Sequence, residues 1–408
     1  MSHRCIKCKG KGLCGRPLCP IVEKISDIES ISSVFKDNKS IFGASPPAVF
    51  VGRYGYPDVQ AGPMIPPEIR GVDAISFDDP RQLCDLDIRN VIASRTRLIR
   101  ANTCLNVTDA GKSVHKNPLL LKSQEIALSK NPVDTEAWFS RSPSRDMHFD
   151  DVLTPMGPSG IIEKLDVVDN PSVPRKVDYL AYDTDASAED AVSELYSGNI
   201  PVHHITHLLS IGLLGKQRRL VPTRWSITAV DDMAGKKLIE KIRDYPQISD
   251  FTLFSGELFG NYFEVLLIPR TYSFELIEAW MPRAVWSGDE IWVGSDHETV
   301  SGKKGYSTLA GGYYSARLAA LEYLFSIHRQ ASIFIVREIR PQYWAPLGVW
   351  VVREGVRRAL NRDPEHFSSI EEALKCMSMR LETHESRWRP EAKLLDEIKC
   401  QRTLDHFI

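Results

Sequence analysis

Apolar and polar residues follow one another along the chain in two rhythms, which separate the predicted helices from the predicted strands. Apolar residues three or four positions apart are typical of an amphipathic helix, whereas alternation at every second position is typical of a strand. The first rhythm predicts a helix that begins after Ser187 and further helices over 21–38, 84–101, 119–128, 233–244, 306–329, 353–361, 369–381 and 390–400. Strand-like runs occupy 48–51, 223–230, 251–254, 262–268, 290–293, 332–337 and 349–352.

The order of these elements predicts an α+β fold, in which a mixed sheet core is flanked by helices. Residues 41–67 are dense in Gly and Pro, and residues 102–158 are polar, so we expect loops there apart from the elements given above. On this basis the chain divides into a small module at 1–20, a main α+β domain at 21–295, a C-terminal α/β region at 296–400 packed on it, and a flexible tail at 401–408.

One charged residue interrupts the apolar face of the predicted helix 84–101. A projection at about 100° per residue places Arg95 in the middle of a face that also carries Ile88, Val91, Ile92 and Leu98. A guanidinium in such surroundings requires a carboxylate, a phosphate or carbonyl groups as partners. The position of Arg95 therefore predicts either an internal ion pair or a ligand.

Charge and hydropathy limit the classes of protein to which this sequence can belong. The chain has 408 residues, of which 51 are Lys or Arg and 53 are Asp or Glu, so a uniformly basic coat for nucleic acid is excluded and any such contact must be local. The sequence contains no run of 18 apolar residues, and its first residues lack the apolar stretch of a secretory signal. We therefore expect a soluble, cytoplasmic protein with no membrane partner.

The N-terminal module carries a cluster of cysteines with the spacing Cys5-x2-Cys8-x5-Cys14-x4-Cys19. In a reducing cytosol four close thiols indicate a metal rather than disulfides, and four thiolates suit a closed, structural zinc site, with an iron–sulfur cluster as the alternative. The module also holds five cations and no acid, namely Arg4, Lys7, Lys9, Lys11 and Arg16. These cations suit phosphate contacts, although a solvated basic surface is an equal alternative.

The C-terminal octapeptide places side chains of distinct chemistry at regular intervals. Gln401, Leu404 and Phe407 are three residues apart, so a single 3₁₀ turn brings the aliphatic and aromatic groups onto one face, next to Ile408. This segment resembles the PCNA-interacting peptide (PIP box) of proteins that bind the DNA sliding clamp. The resemblance implies that PCNA is a partner; Ile408 stands where many such boxes have a second aromatic residue.

The whole chain resembles the archaeal Nre family of DNA repair proteins. The residues that carry this resemblance are the four-cysteine cluster, the run from Ser45 to Pro57, the segment from Ser94 to Arg97 and the terminal box. It implies a role in the repair of DNA damage, in partnership with PCNA and with excision-repair proteins. The resemblance implies no particular catalytic residues.

A set of arginines and tyrosines forms the candidate nucleic-acid site. Arg53 and Tyr54 lie in a Gly-rich turn that also contains Tyr56, and the other members are Arg95, Arg97 and Arg224. Guanidinium groups that converge in a cleft beside aromatic rings would bind a phosphate and stack on a base. The alternative, which we favour, is that each arginine is held in its own internal salt bridge.

Two other constellations are candidate metal sites. The first is His203, His204 and His207, in which two histidines share a helix face, and the second comprises carboxylates and one imidazole at Asp231, Asp232, Asp296, His297 and Glu298. For the histidines a satisfied polar helix end is the stronger interpretation. Acidic pairs of this kind are also common turn residues.

The function that we predict is a DNA damage repair factor, associated with the nucleoid and recruited to the sliding clamp by its PIP box. In this interpretation a structural zinc module and an arginine-rich surface contact DNA. One alternative is a metal-dependent nuclease or other nucleic-acid-processing enzyme tethered to the clamp in the same way. The other is a clamp-binding adaptor that touches no nucleic acid. Whether the protein is an enzyme stays open.

Overall fold

The computed structural model describes residues 39–112, 117–144, 147–303 and 305–400. These residues fall into two compact units that divide between Ala234 and Gly235. We call residues 39–234 the N-terminal unit and residues 235–400 the C-terminal unit. The predicted zinc module, the predicted helix 21–38 and the predicted PIP box lie outside the described residues.

The N-terminal unit is built on a six-stranded mixed sheet with the order β1-β5-β6-β4-β3-β2. Strands β4 and β6 pair in parallel, whereas the other neighbouring strands are antiparallel. The strands are β1 (Ser40–Ser45), β2 (Val49–Val51), β3 (Asp58–Ile65), β4 (Ile99–Asn106), β5 (Val133–Phe139) and β6 (Ser159–Val167).

Several helices of this unit begin where a side chain accepts a free backbone N–H group. Asp87 accepts from the N–H of Asn90, and Ser187 accepts from that of Asp190, as expected for N-cap residues. The helices are α1 (Pro80–Leu83), α2 (Ile88–Thr96), α3 (Pro118–Leu128), α4 (Arg175–Tyr182), α5 (Ala188–Ser197), α6 (Val202–Ser210) and α7 (Thr223–Ile242), which contains the division between the units; two 3₁₀ helices occupy Gly71–Phe77 and Asp109–Gly111.

One face of this sheet is covered by α3. Ile126 of the helix packs into a cluster with side chains from five strands, among them Ile65, Ile99 and Phe139. In β5 every second residue is buried, which matches the two-residue period of a strand with one face in the core. The burial of these apolar groups is the main stabilising term for the unit.

The C-terminal unit contains a second six-stranded mixed sheet with the order β10-β9-β11-β8-β7-β12. Strands β9 and β11 pair in parallel, and the remaining pairs are antiparallel. The strands are β7 (Phe251–Leu258), β8 (Asn261–Ile268), β9 (Ser273–Trp280), β10 (Trp292–Glu298), β11 (Ser332–Ile339) and β12 (Glu365–Phe367).

Helices cover both faces of the second sheet, so β9 and β11 are buried at every residue. The helices are α8 (Gly311–Ser326), α9 (Trp350–Leu360), α10 (Ile370–Arg380), α11 (Glu385–Trp388) and α12 (Lys393–Cys400), with a 3₁₀ helix at Arg389–Glu391. On one face Phe334 and Ile277 pack against Met377, Trp388 and Leu394 of the last helices.

The opposite face of the second sheet packs on α8 and α9. Phe274 meets Tyr313 of α8 edge to face at 5.0 Å between ring centroids. Gly355 of α9 lies against Phe263, where an added Cβ would come within 2.2 Å of the phenyl ring. A glycine is therefore required at 355 by close helix-to-strand packing.

The structure confirms the α+β class and the mixed sheets with flanking helices that the sequence predicted. Helices 119–128, 306–329, 353–361 and 369–381 are confirmed with shifts of a few residues at their ends, as are the strands at 48–51, 251–254, 262–268 and 332–337. No helix among the described residues is long and apolar enough to cross a membrane.

Two predicted elements are wrong, and a third is too long. Residues 223–230 form the first turns of α7 instead of a strand, because small polar side chains such as Ser226 occupy its buried face and hide the helical period. Residues 349–352 belong to the start of α9, since a short apolar run has no period of its own. The predicted helix 84–101 ends at Thr96, and β4 begins at Ile99.

The predicted boundary at 295/296 falls inside β10, whereas the compact units divide at 234/235. The polar stretch 102–158, predicted to be loops, contains most of β4 and all of β5. Strand β9 was missed because two glutamates, Glu275 and Glu278, interrupt its apolar run.

Candidate nucleic-acid interface

Two tyrosines project from the turn that joins β2 to β3. Tyr54 is 80% exposed and Tyr56 is 51% exposed, although both are large aromatic residues. Between them Gly55 has a φ of +82°, and an added Cβ would lie 2.7 Å from the carbonyl oxygen of Asp58. The turn can therefore close tightly only with glycine at this position, and this holds the two tyrosines out from the sheet.

A third aromatic ring comes from the first turn of α7. Trp225 is 47% exposed, and its ring centroid lies 5.5 Å from that of Tyr56, with the ring planes tilted by 54°. The helix begins after Pro222, whose carbonyl oxygen accepts the N–H groups of Trp225 and Ser226. We call Tyr54, Tyr56 and Trp225 the aromatic surface.

Two arginines lie beside the aromatic surface and converge on one carboxylate. The guanidinium of Arg53 lies 5.1 Å from the ring centroid of Tyr54, and its Nη2 lies 3.7 Å from Oδ2 of Asp150. Arg224 forms ion pairs with Asp150 and, at 2.5 Å, with Oδ1 of Asp151. Among the residues that the structure describes, two cations of this cluster thus face two carboxylates.

Asp150 is held in a fixed position at the centre of this cluster. Its carboxylate accepts the backbone N–H of Val152 at 2.8 Å and that of Leu153 at 3.3 Å. Burial raises the pKa of Asp150, and the guanidinium of Arg224 opposes that rise. Arg53 keeps 26% of its side chain exposed, so it is the member of the cluster that a ligand can reach.

The other two predicted arginines do not join this cluster. Arg95 is buried and donates to the carbonyl oxygens of Phe77 and Pro155 and to the carboxylate of Asp78. This confirms the expectation that its guanidinium needs carboxylate and carbonyl partners. Arg97 is exposed at the C-terminal end of α2.

The three histidines of α6 contact protein groups. His204 donates from Nε2 to the carbonyl oxygen of Ala127 at 2.8 Å. Nε2 of His207 lies 3.0 Å from Oδ2 of Asp78, and Nδ1 of His203 lies 3.9 Å from Oδ1 of Asp79. Among the residues that the structure describes, no group of three or more His, Cys, Asp or Glu side chains is placed to hold a metal ion.

The ionisation of this region follows from burial and from its ion pairs. Burial lowers the pKa of His204 to about 4. Burial also lowers the pKa of His203 to about 4, against the pull of Asp79 and Asp78. Burial alone would raise the pKa of Asp78, but Arg95 and His207 outweigh it and hold that pKa well below its usual range.

In the second predicted metal constellation, Asp296 and Glu298 pair with different cations. Asp231 is fully buried in the N-terminal unit. In the C-terminal unit Asp296 pairs with Lys303 and accepts the N–H of Thr308 at 2.9 Å, while Glu298 pairs with Arg317 at 2.9 Å. Asp296 and Glu298 are thus each held in an ion pair of their own.

Sequence reasoning missed Trp225 and Asp150 as parts of the candidate interface. Trp225 lies in a segment that was predicted to be a strand. Its exposure follows from its position on the outer side of helix α7. Asp150 lies in a stretch without a periodic pattern, so no sequence pattern related it to Arg224. The predicted zinc ligands Cys5, Cys8, Cys14 and Cys19, and the predicted clamp-binding residues Gln401, Leu404, Phe407 and Ile408, lie outside the described residues.

The fold and the surface together define a two-unit α+β protein that exposes aromatic rings beside a balanced cluster of arginines and carboxylates. Two family models match this chain: "Archaeal Nre, N-terminal" over residues 13–287 and "Archaeal Nre, C-terminal" over residues 298–407. The chain therefore belongs to the archaeal Nre family, as the resemblance in its sequence indicated. The predicted boundary at 295/296 falls in the gap between the two models.

Several curated proteins are similar to this chain over most of their length. "DNA repair protein NreA" of Archaeoglobus fulgidus is 44% identical over 391 residues, which is 95% of this chain and 96% of that protein. "DNA repair protein NreB" of the same organism is 37% identical over 405 residues, covering 99% and 100% of the two chains. "DNA repair protein NreA" of Haloferax volcanii is 36% identical over 346 residues, 82% of each chain. No solved structure matches the chain.

Proposed function

We propose that this protein is a DNA damage repair factor of the cytoplasm and nucleoid, held at the sliding clamp PCNA by residues 401–408. The observation that carries the proposal is the similarity, at 44% identity over 95% of the chain, to a protein named a DNA repair protein. Excision-repair proteins are further proposed partners.

The aromatic surface supports a direct contact with DNA. Exposed aromatic rings give up contact with water when a base stacks on them, and such stacking contributes about 1–3 kcal/mol per base. Arg53 lies over one of these rings and is partly exposed, so it can reach a phosphate next to a stacked base. Arg95 has no part in this proposal, because its partners are internal.

The terminal box supplies the tether. Leu404 and Phe407 form the apolar anchor in this proposal, and Gln401 offers its amide to a polar pocket of the clamp. A tether makes the contact with DNA effectively intramolecular, so a weak DNA affinity is sufficient at the clamp. The zinc module at 1–20, with its five cations, would add phosphate contacts.

Calorimetry with the sliding clamp of the same organism tests the tether. The Leu404→Ala/Phe407→Ala variant should bind the clamp about thirtyfold more weakly, because truncation of a buried anchor typically costs about 2 kcal/mol or more. Gln401→Ala should weaken binding less, since a neutral hydrogen bond contributes about 0.5–1.5 kcal/mol. Thr403→Ala, a change off the anchoring face, is the matched control.

Undiminished clamp binding by the double variant would remove the tether from the proposal. The adaptor alternative is tested separately by DNA binding: an adaptor shows no affinity for DNA at any salt concentration. No contact among the described residues favours the nuclease alternative over these two.

A further inference from the structure

We infer that the aromatic surface binds unpaired nucleobases, so that the DNA recognised by this protein is single-stranded or locally opened rather than an intact duplex. This inference rests on the proposed DNA contact and names its substrate class. It depends on the charge balance of the arginine cluster, on the exposure of the rings and on their support.

The charge balance speaks against a duplex-binding surface at this site. Non-specific duplex binding depends on cations that neutralise backbone phosphates. Arg53 and Arg224 face Asp150 and Asp151, so the cations here are already matched by carboxylates. Among the described residues of the cluster, Arg53 is therefore the cation that can contact a phosphate, and base stacking has to supply most of the remaining binding free energy.

The exposure of the rings favours stacking. Tyr54 is 80% exposed although Arg53 lies over its ring, so most of the ring is open to a stacking base. Bases in an intact duplex are stacked on one another and do not present their faces to a protein. A surface that binds by stacking consequently requires bases that are already unpaired or easily opened.

The backbone that carries the three rings is fixed before a ligand arrives, and the rings of Tyr56 and Trp225 also pack against each other. Tyr54 and Tyr56 flank Gly55 in a tight turn, and Trp225 is held by the first turn of α7 against Tyr56. Rings that are fixed in advance lose little conformational entropy when a base stacks on them. None of them presents a base-specific array of donors and acceptors, so the expected binding is tolerant of sequence.

Fluorescence anisotropy with the full-length chain tests this inference. The probes are a labelled 20-nucleotide oligo-dT, a mixed-sequence duplex of the same length, and that duplex with a central unpaired bubble. We expect the single strand and the bubble to bind about tenfold or more tightly than the duplex. The Tyr54→Ala/Trp225→Ala variant should lose about tenfold in affinity for the single strand and the bubble, with little change for the duplex.

Two matched variants complete the design. Tyr54→Phe keeps the ring and should retain single-strand affinity. Tyr179→Ala/Tyr182→Ala removes two tyrosines of α4 that are 64% and 76% exposed, and it should leave binding unchanged. Because all the substituted side chains are at the surface, circular dichroism should show the same fold for every variant.

Equal affinity for duplex and single strand, or single-strand binding that is unaffected by Tyr54→Ala/Trp225→Ala, would overturn the inference. Either result leaves the proposed function intact, provided that DNA is bound. If the chain binds none of the three probes, the proposed DNA contact fails together with the inference, while clamp binding in calorimetry still reports on the tether.

Discussion

Arg95 lies on a helix face whose other members are buried and apolar, and its guanidinium is satisfied by Asp78 and by two carbonyl oxygens. Sequence reasoning predicted that it needs such partners, because a lone buried cation is too costly. It could not identify Asp78, since no local pattern relates residues that are 17 positions apart. The sequence can thus predict that a buried charged residue requires a partner, but it cannot identify that partner.

Arg95→Met should destabilise the fold strongly. The substitution removes the Arg95 guanidinium from the buried carboxylate of Asp78, which keeps its contact with His207. Removal of one partner from a buried ion pair typically costs about 3–5 kcal/mol. Urea unfolding measures the loss. Arg97→Ala, at an exposed position next to the same helix, should change the free energy of unfolding by less than about 0.5 kcal/mol. Equal effects of the two substitutions would contradict the internal role of Arg95.

His204 should make the stability depend on pH. Burial lowers its pKa from 6.5 to about 4, so between these values the unfolded chain binds more protons than the folded one. The stabilisation is then complete above pH 6.5 and is lost as the pH falls toward 4. His204→Gln keeps an N–H donor for Ala127 and removes the titration.

The measurement is the difference in urea unfolding between pH 7.5 and 5.5. The native chain should lose about 1 kcal/mol more than the His204→Gln variant over this interval. The comparison is necessary because burial raises the pKa of Glu264 and of Glu275 to about 7, and such carboxyl groups contribute in the opposite direction, with stability falling as pH rises from 4.5 to 7. Identical losses in both proteins would show that His204 does not titrate as its burial implies.

At the scale of elements, the helices and strands with an apolar buried face could be predicted from the sequence. Elements with polar groups on the buried face were missed or mispredicted. Strands β8 and β11 are nearly uninterrupted apolar runs and were predicted. Strand β9 was missed because Glu275 and Glu278 are buried within it, each with partners from other elements or neighbouring strands. Helix α7 was mispredicted at its start because its buried face includes Ser226 and Asp231.

Glu275 also determines where the last described helix begins. Its two carboxylate oxygens accept the N–H groups of Lys393 and Leu394 at 2.9 Å, which are the first donors of α12. Glu275→Ala should remove the acceptor of both donors, at a cost of about 1–3 kcal/mol for the buried N–H of Leu394, while Lys393 is exposed to water. Amide hydrogen exchange should accelerate across α12 more than in the rest of the sheet.

Glu391→Ala is the matched control for this experiment, since that glutamate precedes the same helix but is exposed. It should leave the exchange of α12 unchanged. Protection of α12 that survives Glu275→Ala would mean that apolar packing of Leu394 and Leu395 is sufficient to hold the helix.

At the scale of the whole molecule, the fold class followed from the sequence but the order of the strands did not. In each sheet the parallel pair joins strands that are separated along the chain by other elements: β4 with β6, and β9 with β11. Their pairing depends on contacts between distant segments, which periodicity does not record. The aromatic surface also depends on contacts between distant segments, because it combines the turn after β2 with the start of α7.

The zinc prediction concerns how the N-terminal module of the molecule folds. This module has few large apolar side chains, so we expect it to fold only when it binds metal. Elemental analysis of the purified chain should find about one zinc per chain, and Cys5→Ser/Cys8→Ser should abolish it. Limited proteolysis should then remove the first twenty residues from the variant but not from the native protein. Cys104→Ser, at an exposed free thiol, should retain the metal.

Strand β11 lies between β8 and β9, yet it is encoded after the gap that separates the two family models. A hybrid gene that joins the first part of one family member to the last part of another at this gap would insert a foreign strand into the middle of a native sheet. The side chains of β11 would then pack beside residues of β8 and β9 that come from a different protein and did not evolve with them. Recombination among Nre genes at this point is therefore expected to yield unstable proteins, whereas exchanges that keep β7 to β12 together should be tolerated.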